Sequence, residues 1–427
     1  MTTKVPAIKD IPAGYKPHTV ETLPLYLSGK LADNLQPGGT PENWDVKEVG
    51  DGNLNLVFIV SGENTSLVVK QAVPYLRAAG ESWPLPLTRA FFEFSVLQEE
   101  RRFAGDTVPE VYFYDKEMAL FAMEFLTPHV ILRKELIAGK KFDYLSRDIG
   151  EFMAKTLFFT SDLGMDPAEK KERVSRFATN SDLCRITEDL IFSEPYFDAP
   201  RNTWTTPALD SAVSSIWEDQ EMIRVAMKYK HKFMSEAQAL LHGDLHSGSV
   251  MVTDTDTKVI DPEFGFYGPM AFDVGNYMGN LFFAYYCQPG HQKSTEECTD
   301  YQQWVLQQVE DTWDFFESRF RELWRNKEVG EAYPNALCRD GKFGITMLKQ
   351  VQDDFFRTLF TDTLVNAGME INRRIIGFAG VVDFNEISDP DLRASLEIRA
   401  LNLARKLIVE PETFTRFREV NLFASQC

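Results

Sequence analysis

The sequence predicts an α+β chain of two unequal lobes: a small β-rich N-terminal lobe with one main helix, and a large, mostly helical C-terminal lobe. Two observations predict it. Up to about residue 125 the apolar residues fall in short runs separated by turn residues, the pattern of strands and hairpins. Beyond about Leu126 they recur at helical spacing over longer segments. With 427 residues, 44% of them hydrophobic, the chain can bury one large core or two modest ones. The expected division is residues 1–125 and 126–427.

Between Trp44 and Lys70 the runs LNLVFIV and SLVVK flank SGENT, a turn-rich connector, and read as a β-hairpin. A helix is expected from about Leu87 to Arg102, with Thr88 as its N-cap and Phe92, Phe94 and Leu97 near helical spacing. TVPEVYFYD and MALFAMEFL then read as two further strands. In the second lobe, DYLSRDIGEFMAKTLFFTS sets Leu145, Ile149, Phe152, Met153 and Leu157 on one helix face. Further helices are expected from about Ser211 to Phe233 and from Tyr301 to Arg325. The aromatic stripe of the second, Trp304, Trp313, Phe316 and Phe320, reads as core packing.

The formal net charge of -19, with no dense Lys/Arg run, argues against nucleic acid and anionic membranes as partners. The five cysteines are scattered, form no C-x-x-C pair and read as reduced thiols. The first twenty residues lack the apolar centre of a signal peptide, and no apolar run is long enough to span a membrane. Together these predict a cytoplasmic protein.

The chemistry concentrates in LHGDLHSGSVMV (Leu241–Val252) and VIDPEFGFYGPMAFD (Val259–Asp273). His242, Gly243 and Asp244 are expected in a tight loop after a helix. SVMV and KVI form a hairpin through TDTDT that delivers Asp261 and Glu263 beside the loop, so that three carboxylates surround one point. Phosphoryl transfer uses such groups to orient an attacking hydroxyl and to hold a metal against phosphates.

This block resembles the aminoglycoside-phosphotransferase and choline-kinase-like superfamily, whose pattern is H-G-D-x-H-x-x-N followed by I-D-W/P-E/D. The resemblance implies a bilobal protein-kinase-like fold, with residues 1–125 as the ATP-binding lobe and 126–427 as the catalytic and substrate-binding lobe. It implies ATP and Mg²⁺ as cofactors, Asp244 as catalytic base, and Asp261 and Glu263 as metal ligands. Ser249 stands where most relatives carry a metal-binding Asn, and Glu263 is expected to compensate. His242 and His246 are expected to organise the loop. On the nucleotide side, EVGDGNLNLVFIV offers Gly50, Gly52 and Asn53 for phosphate approach, with Asn55 near the third glycine position of the kinase loop. Lys70 ends its strand where such folds put the α/β-phosphate lysine, and Glu93, with Glu99 as the alternative, is its expected ion-pair partner. Met123, Glu124 and Phe125 are the expected adenine-binding hinge.

Two details resemble the methylthioribose kinase family: DPEFGFYGPMAFD, and the pair Arg373–Arg374 in EINRRIIGFAG. They imply that Asp244, Arg373 and Arg374 bind 5-methylthioribose, that its anomeric hydroxyl is phosphorylated to the 1-phosphate in methionine salvage, and that the chain is a homodimer. Tyr196, Phe197 and Trp204 are suggested as a lid over the methylthio group. The alternatives are another kinase of the superfamily, acting on an aminoglycoside, choline or homoserine, or a non-catalytic binding protein on this fold. An arginine pair disfavours cationic acceptors, and the presence of Lys70, Asp244 and Asp261 disfavours a dead scaffold.

Overall fold

The computed structural model describes residues 11–50, 54–77, 80–292 and 294–427. The β-branched residues of β2 (Asn55–Ser61) and β3 (Ser66–Ala72) make the central hairpin of the small lobe, paired antiparallel with Val57 opposite Lys70. With β1 (Asp45–Glu48), β6 (Val111–Asp115) and β7 (Leu120–Glu124) they form a five-stranded sheet of order β1-β2-β3-β7-β6. The strand period of two divides the apolar side chains between two cores. Phe58, Val60, Leu67, Val69, Leu120 and Ala122 face Leu23 and Leu27 of α1 (Leu23–Ser28). Val68, Phe121 and Met123 face α2 (Arg89–Ala104), through Ala90 and Leu97. Thr88 does precede α2, but it has helical dihedrals and makes no side-chain capping bond. A separate hairpin of β4 (Tyr75–Leu76) and β5 (Gly80–Pro84) stands beside the sheet.

The large lobe begins after β8 (Val130–Ile131) with α3 (Leu132–Ile137), α4 (Leu145–Phe159), α5 (Pro167–Phe177) and α6 (Ser181–Leu190). The helix expected over 211–233 is two, α7 (Asp210–Glu218) and α8 (Gln220–Ser235). Asp219 breaks them: its carboxylate accepts the backbone N–H groups of Glu221 and Met222, both at 3.1 Å, and so caps the second helix. The reactive loop follows β9 (Ala239–Leu240), not a helix, and β9 pairs with β12 (Tyr267–Gly268). Between them β10 (Val250–Val252) and β11 (Thr257–Val259) form the expected hairpin, with β8 on its free side.

The rest is helical: α9 (Ala271–Tyr286), α10 (Thr295–Arg325), α11 (Asn335–Cys338), α12 (Gly344–Ile376), α13 (Val382–Asn385), α14 (Pro390–Val409) and α15 (Phe417–Gln426). Every side chain of α9 is buried. It packs against α12, where Gly275 is obligatory: a Cβ there would lie 2.5 Å from the Cβ of Asn366. The aromatic stripe of α10 is core, with Trp313, Phe316 and Phe320 packing edge-on against Phe356. One hydrophobic core runs from Val68, Leu97 and Phe121 of the small lobe to Leu145, Ile149 and Phe152 of α4. Among the described residues no helix is long and apolar enough to cross a membrane.

Candidate active site

The loop at 242–249 is built by hydrogen bonds to its own backbone. Asp273, at the start of α9, accepts the N–H groups of His242 at 2.7 Å and Gly243 at 3.0 Å. Gly243 has φ +83°, and a Cβ would stand 2.4 Å from the carbonyl oxygen of Phe264, so only glycine fits. His242 is buried. Its Nδ1 faces the N–H of Asp244 at 3.3 Å, so Nε2 carries the proton and donates to the carbonyl of Ile260 at 2.8 Å. Burial pushes its pKa down to about 4, and the ring is neutral at pH 7. His246 accepts the N–H groups of Gly248 and Ser249 on Nδ1, at 2.9 and 3.1 Å. Its proton is therefore on Nε2, which lies 3.3 Å from Asp244 Oδ2. Ser249 is buried, and its hydroxyl donates to the carbonyl of Asp244 at 3.0 Å. That hydroxyl closes the loop.

On the small-lobe side, Lys70 from β3 contacts Glu93 of α2 at 2.5 Å and also pairs with Asp261, which follows β11. Asp261 holds φ +66°, a left-handed backbone that turns its carboxylate toward the lysine. Glu99, the alternative partner, pairs instead with Arg173 and, at 3.8 Å, Arg102. Asn55 does not stand in a phosphate loop. It is buried at the start of β2, donates to Glu263 at 3.1 Å and accepts from Arg89 at 3.0 Å. Gly50 follows β1, and a Cβ on it would meet nothing within 4 Å. Gly52 and Asn53 lie outside the described residues. Met123 and Glu124 end β7 beside β3, opposite Val68 and Leu67, and Phe125 follows them.

The three carboxylates have different contact partners. Asp244 faces arginines, Asp261 faces Lys70, and Glu263 sits in the Asn55–Arg89 pocket. Among the described residues no group of three or more His, Cys, Asp or Glu side chains could hold a metal ion. Two hard oxygen donors remain near Lys70. Asp261 is 40% exposed, and Glu263 is buried with its pKa raised to about 7, by burial first and then by the charge of Glu93. That donor set fits a magnesium ion, which keeps water and phosphate oxygens among its ligands.

At the other end, Arg373 and Arg374 occupy the last turn of α12 with side chains only 8% exposed. Glu370 accepts from the Nε of both, at 2.7 and 2.9 Å. One terminal nitrogen of each guanidinium lies near the same oxygen of Asp244, at 3.7 and 3.8 Å. Burial by itself would raise the Asp244 pKa; His246 and the two arginines outweigh it and hold the carboxylate far below its ordinary range.

The family model of the phosphotransferase enzyme family matches residues 45–327. A methylthioribose kinase of Escherichia coli is 60% identical over 411 residues, covering 96% of this chain and 97% of that one. This chain belongs to the methylthioribose kinase family. Methylthioribose kinase 1 of Oryza sativa subsp. japonica is 42% identical, with 95% and 94% of the two chains covered. A methylthioribose kinase of a Geobacillus species is 40% identical, with 97% of each covered. The small sheet, the Lys70–Glu93 pair and the helical second lobe give this family member the expected kinase-like fold.

Several residues of this methylthioribose kinase family member were not anticipated from sequence. Glu370 was legible in principle, since an acid three and four residues before two arginines is the helical pairing pattern. Asp273 and Arg133 carry no such local signal; each acts across tens of residues or more. The suggested lid is only partly a surface. Phe197 is 51% exposed, but Tyr196 is buried, and Trp204 donates to Asp210 at 2.7 Å and packs edge-on against Trp217.

Proposed function

We propose that this chain transfers the γ-phosphoryl group of ATP to the anomeric hydroxyl of 5-methylthioribose, giving 5-methylthioribose 1-phosphate in methionine salvage. The convergence of Arg373 and Arg374 on the Asp244 carboxylate carries this reading, together with the family membership. Asp244 is ionised at neutral pH and accepts a hydrogen bond from the sugar hydroxyl, orienting it. As the new O–P bond forms and the bond to ADP breaks, that oxygen loses basicity and its proton passes to Asp244. The arginines present charge-assisted donors to the sugar oxygens or to the moving phosphoryl group.

At the other end, Lys70, held by Glu93, contacts the α- and β-phosphates, Gly50, Gly52 and Asn53 allow close backbone approach, and the Met123–Glu124–Phe125 hinge takes the adenine edge. Asp261 and Glu263 would hold magnesium, which supplies neutralising charge on the phosphate oxygens when bound. With the metal bound, Asp261 would leave Lys70 free for the phosphates. Residues 1–125 act as the ATP-binding lobe and 126–427 as the catalytic lobe. The working protein is a cytoplasmic homodimer.

A coupled ADP-release assay over 5-methylthioribose, ribose, choline, homoserine and aminoglycosides tests the assignment. Turnover confined to 5-methylthioribose is expected. Faster turnover of a cationic acceptor would move the chain to another activity of the superfamily.

A further inference from the structure

The geometry points to Glu370 as a positioning residue that makes two adjacent arginines act on one point. The inference rests on the acceptor-side role proposed for Arg373 and Arg374. Adjacent helical side chains leave the axis about 100° apart, so the pair does not converge by helical geometry alone. Glu370 lies one turn earlier and is fully buried. Its two oxygens are divided between the arginines, Oε2 taking the Nε of Arg373 at 2.7 Å and Oε1 that of Arg374 at 2.9 Å. Binding both guanidinium groups by Nε leaves terminal nitrogens of both near Asp244 Oδ1.

The clamp is itself braced. Asn280 of α9 reaches Glu370 Oε1 at 3.4 Å. Gly279 makes room for the carboxylate stem: a Cβ there would lie 3.3 Å from both Cβ and Cγ of Glu370. Arg133 donates to Asn280 at 2.8 Å and to Ser247 of the reactive loop at 3.0 Å, and lies 3.4 Å from Asp383. Glu370 is thereby tied to the same loop that carries Asp244. Three arginines, the buried Arg373 and Arg374 and the largely buried Arg133, face three acids, Asp244, Glu370 and Asp383. Burial opposes the charge on Glu370, but both arginines outweigh it and keep the carboxylate ionised. A carboxylate can serve two donors at once; an amide offers one oxygen and turns an N–H₂ toward the second guanidinium.

The test is single-turnover phosphorylation of 5-methylthioribose at saturating ATP by the full chain, comparing Glu370→Gln, Glu370→Asp, Arg373→Lys, Arg374→Lys and the double Glu370→Gln/Arg374→Lys. Glu370→Gln is expected to lose about 10–100-fold in rate, the loss of one oriented charge-assisted contact, with the KM for ATP within about twofold of the parent. Glu370→Asp keeps the charge but is one methylene shorter, and should fall between the two. In the Arg374→Lys background the Gln change should add less than about threefold, because the two substitutions remove the same arrangement. Parent-rate Glu370→Gln beside slowed arginine variants would overturn this inference and leave the proposed function standing. Parent-rate Arg373→Lys and Arg374→Lys would overturn the arginine role itself, and the inference with it. Fully multiplicative losses in the double variant would also overturn it, since Glu370 would then act on the fold. Where Glu370→Gln fails to fold, Glu370→Asp, alone and combined with Arg374→Lys, carries the same comparison.

Discussion

At the proposed nucleotide end, Lys70, Glu93, Asp261 and Glu263 come from a strand, a helix and the segment after a hairpin, in two different lobes. At the acceptor end, Glu370, Arg373 and Arg374 come from the end of one helix. The first set meets only if the lobes are correctly arranged, and Asp261 stays 40% exposed. The second set is prearranged by helical spacing and buried, and its charges are balanced within the protein. Asp261, the most exposed of these groups, is free to reorganise when phosphates arrive, whereas the buried residues of the second set are already in place. Substitutions at the first end should therefore appear mainly in nucleotide and metal requirements, and those at the second in turnover.

Asp244, the proposed proton acceptor, should show the largest effect. Asp244→Asn is expected to retain ATP binding and lose at least about 10²–10⁴ in turnover. A well-folded variant with near-parent turnover would remove the proton acceptor from the scheme. Next come the arginines: Arg373→Lys and Arg374→Lys should each cost about 10²–10³ in rate, nearly as much as Ala, because lysine keeps charge without the planar fork. A raised KM for ATP with unchanged turnover in either variant would break the contrast between the ends.

A smaller effect separates Glu263 from Ser249. Glu263→Ala should raise the magnesium concentration needed for half-maximal rate about tenfold or more, the usual order for loss of one ligand or its support. Ser249→Ala, which removes a loop hydrogen bond of about 1 kcal/mol, should leave that requirement nearly unchanged. The opposite ranking in a magnesium titration would place the second ligand at Ser249.

The smallest effect concerns the loop between the ends. Burial pushes Asp273 up to about 7 despite its two backbone donors, Gly243 and His242. A carboxyl with a raised folded pKa binds its proton better in the folded state. Its stabilising contribution is full below about pH 4 and is lost as the pH rises through 7. In urea unfolding at pH 5.5 and pH 8, the stability of the parent relative to Asp273→Asn should fall by about 1–3 kcal/mol. A gap that does not change with pH would mean that Asp273 is ionised throughout.

Local pattern determined most of the small lobe. Alternation and turn residues placed β2, β3, β6 and β7, because a strand with two apolar faces writes both into its sequence. The pattern failed at 211–233, where helical spacing continues past Asp219 although its capping carboxylate starts a new helix. Motif spacing likewise marked Asp244, Asp261, Lys70 and Glu93, and the pairing of Lys70 with Glu93, but not that of Lys70 with Asp261. The three carboxylates have different contact partners: the arginines for Asp244, Lys70 for Asp261 and Asn55 for Glu263.

The sequence by itself determined the two-lobe organisation, the kind of chemistry and the residue types that carry it, since these depend on periodicity and short spacings. Tertiary structure alone decided that the charges of α12 face the loop that carries Asp244. Asp244 and Arg374 are separated by 130 residues, and their approach to 3.8 Å depends on α12 packing against α9, through glycines that admit Asn366 and Glu370. Coulomb energies follow distance and burial, not sequence separation, so an aspartate is held ionised at Asp244 and raised to about 7 at Asp273.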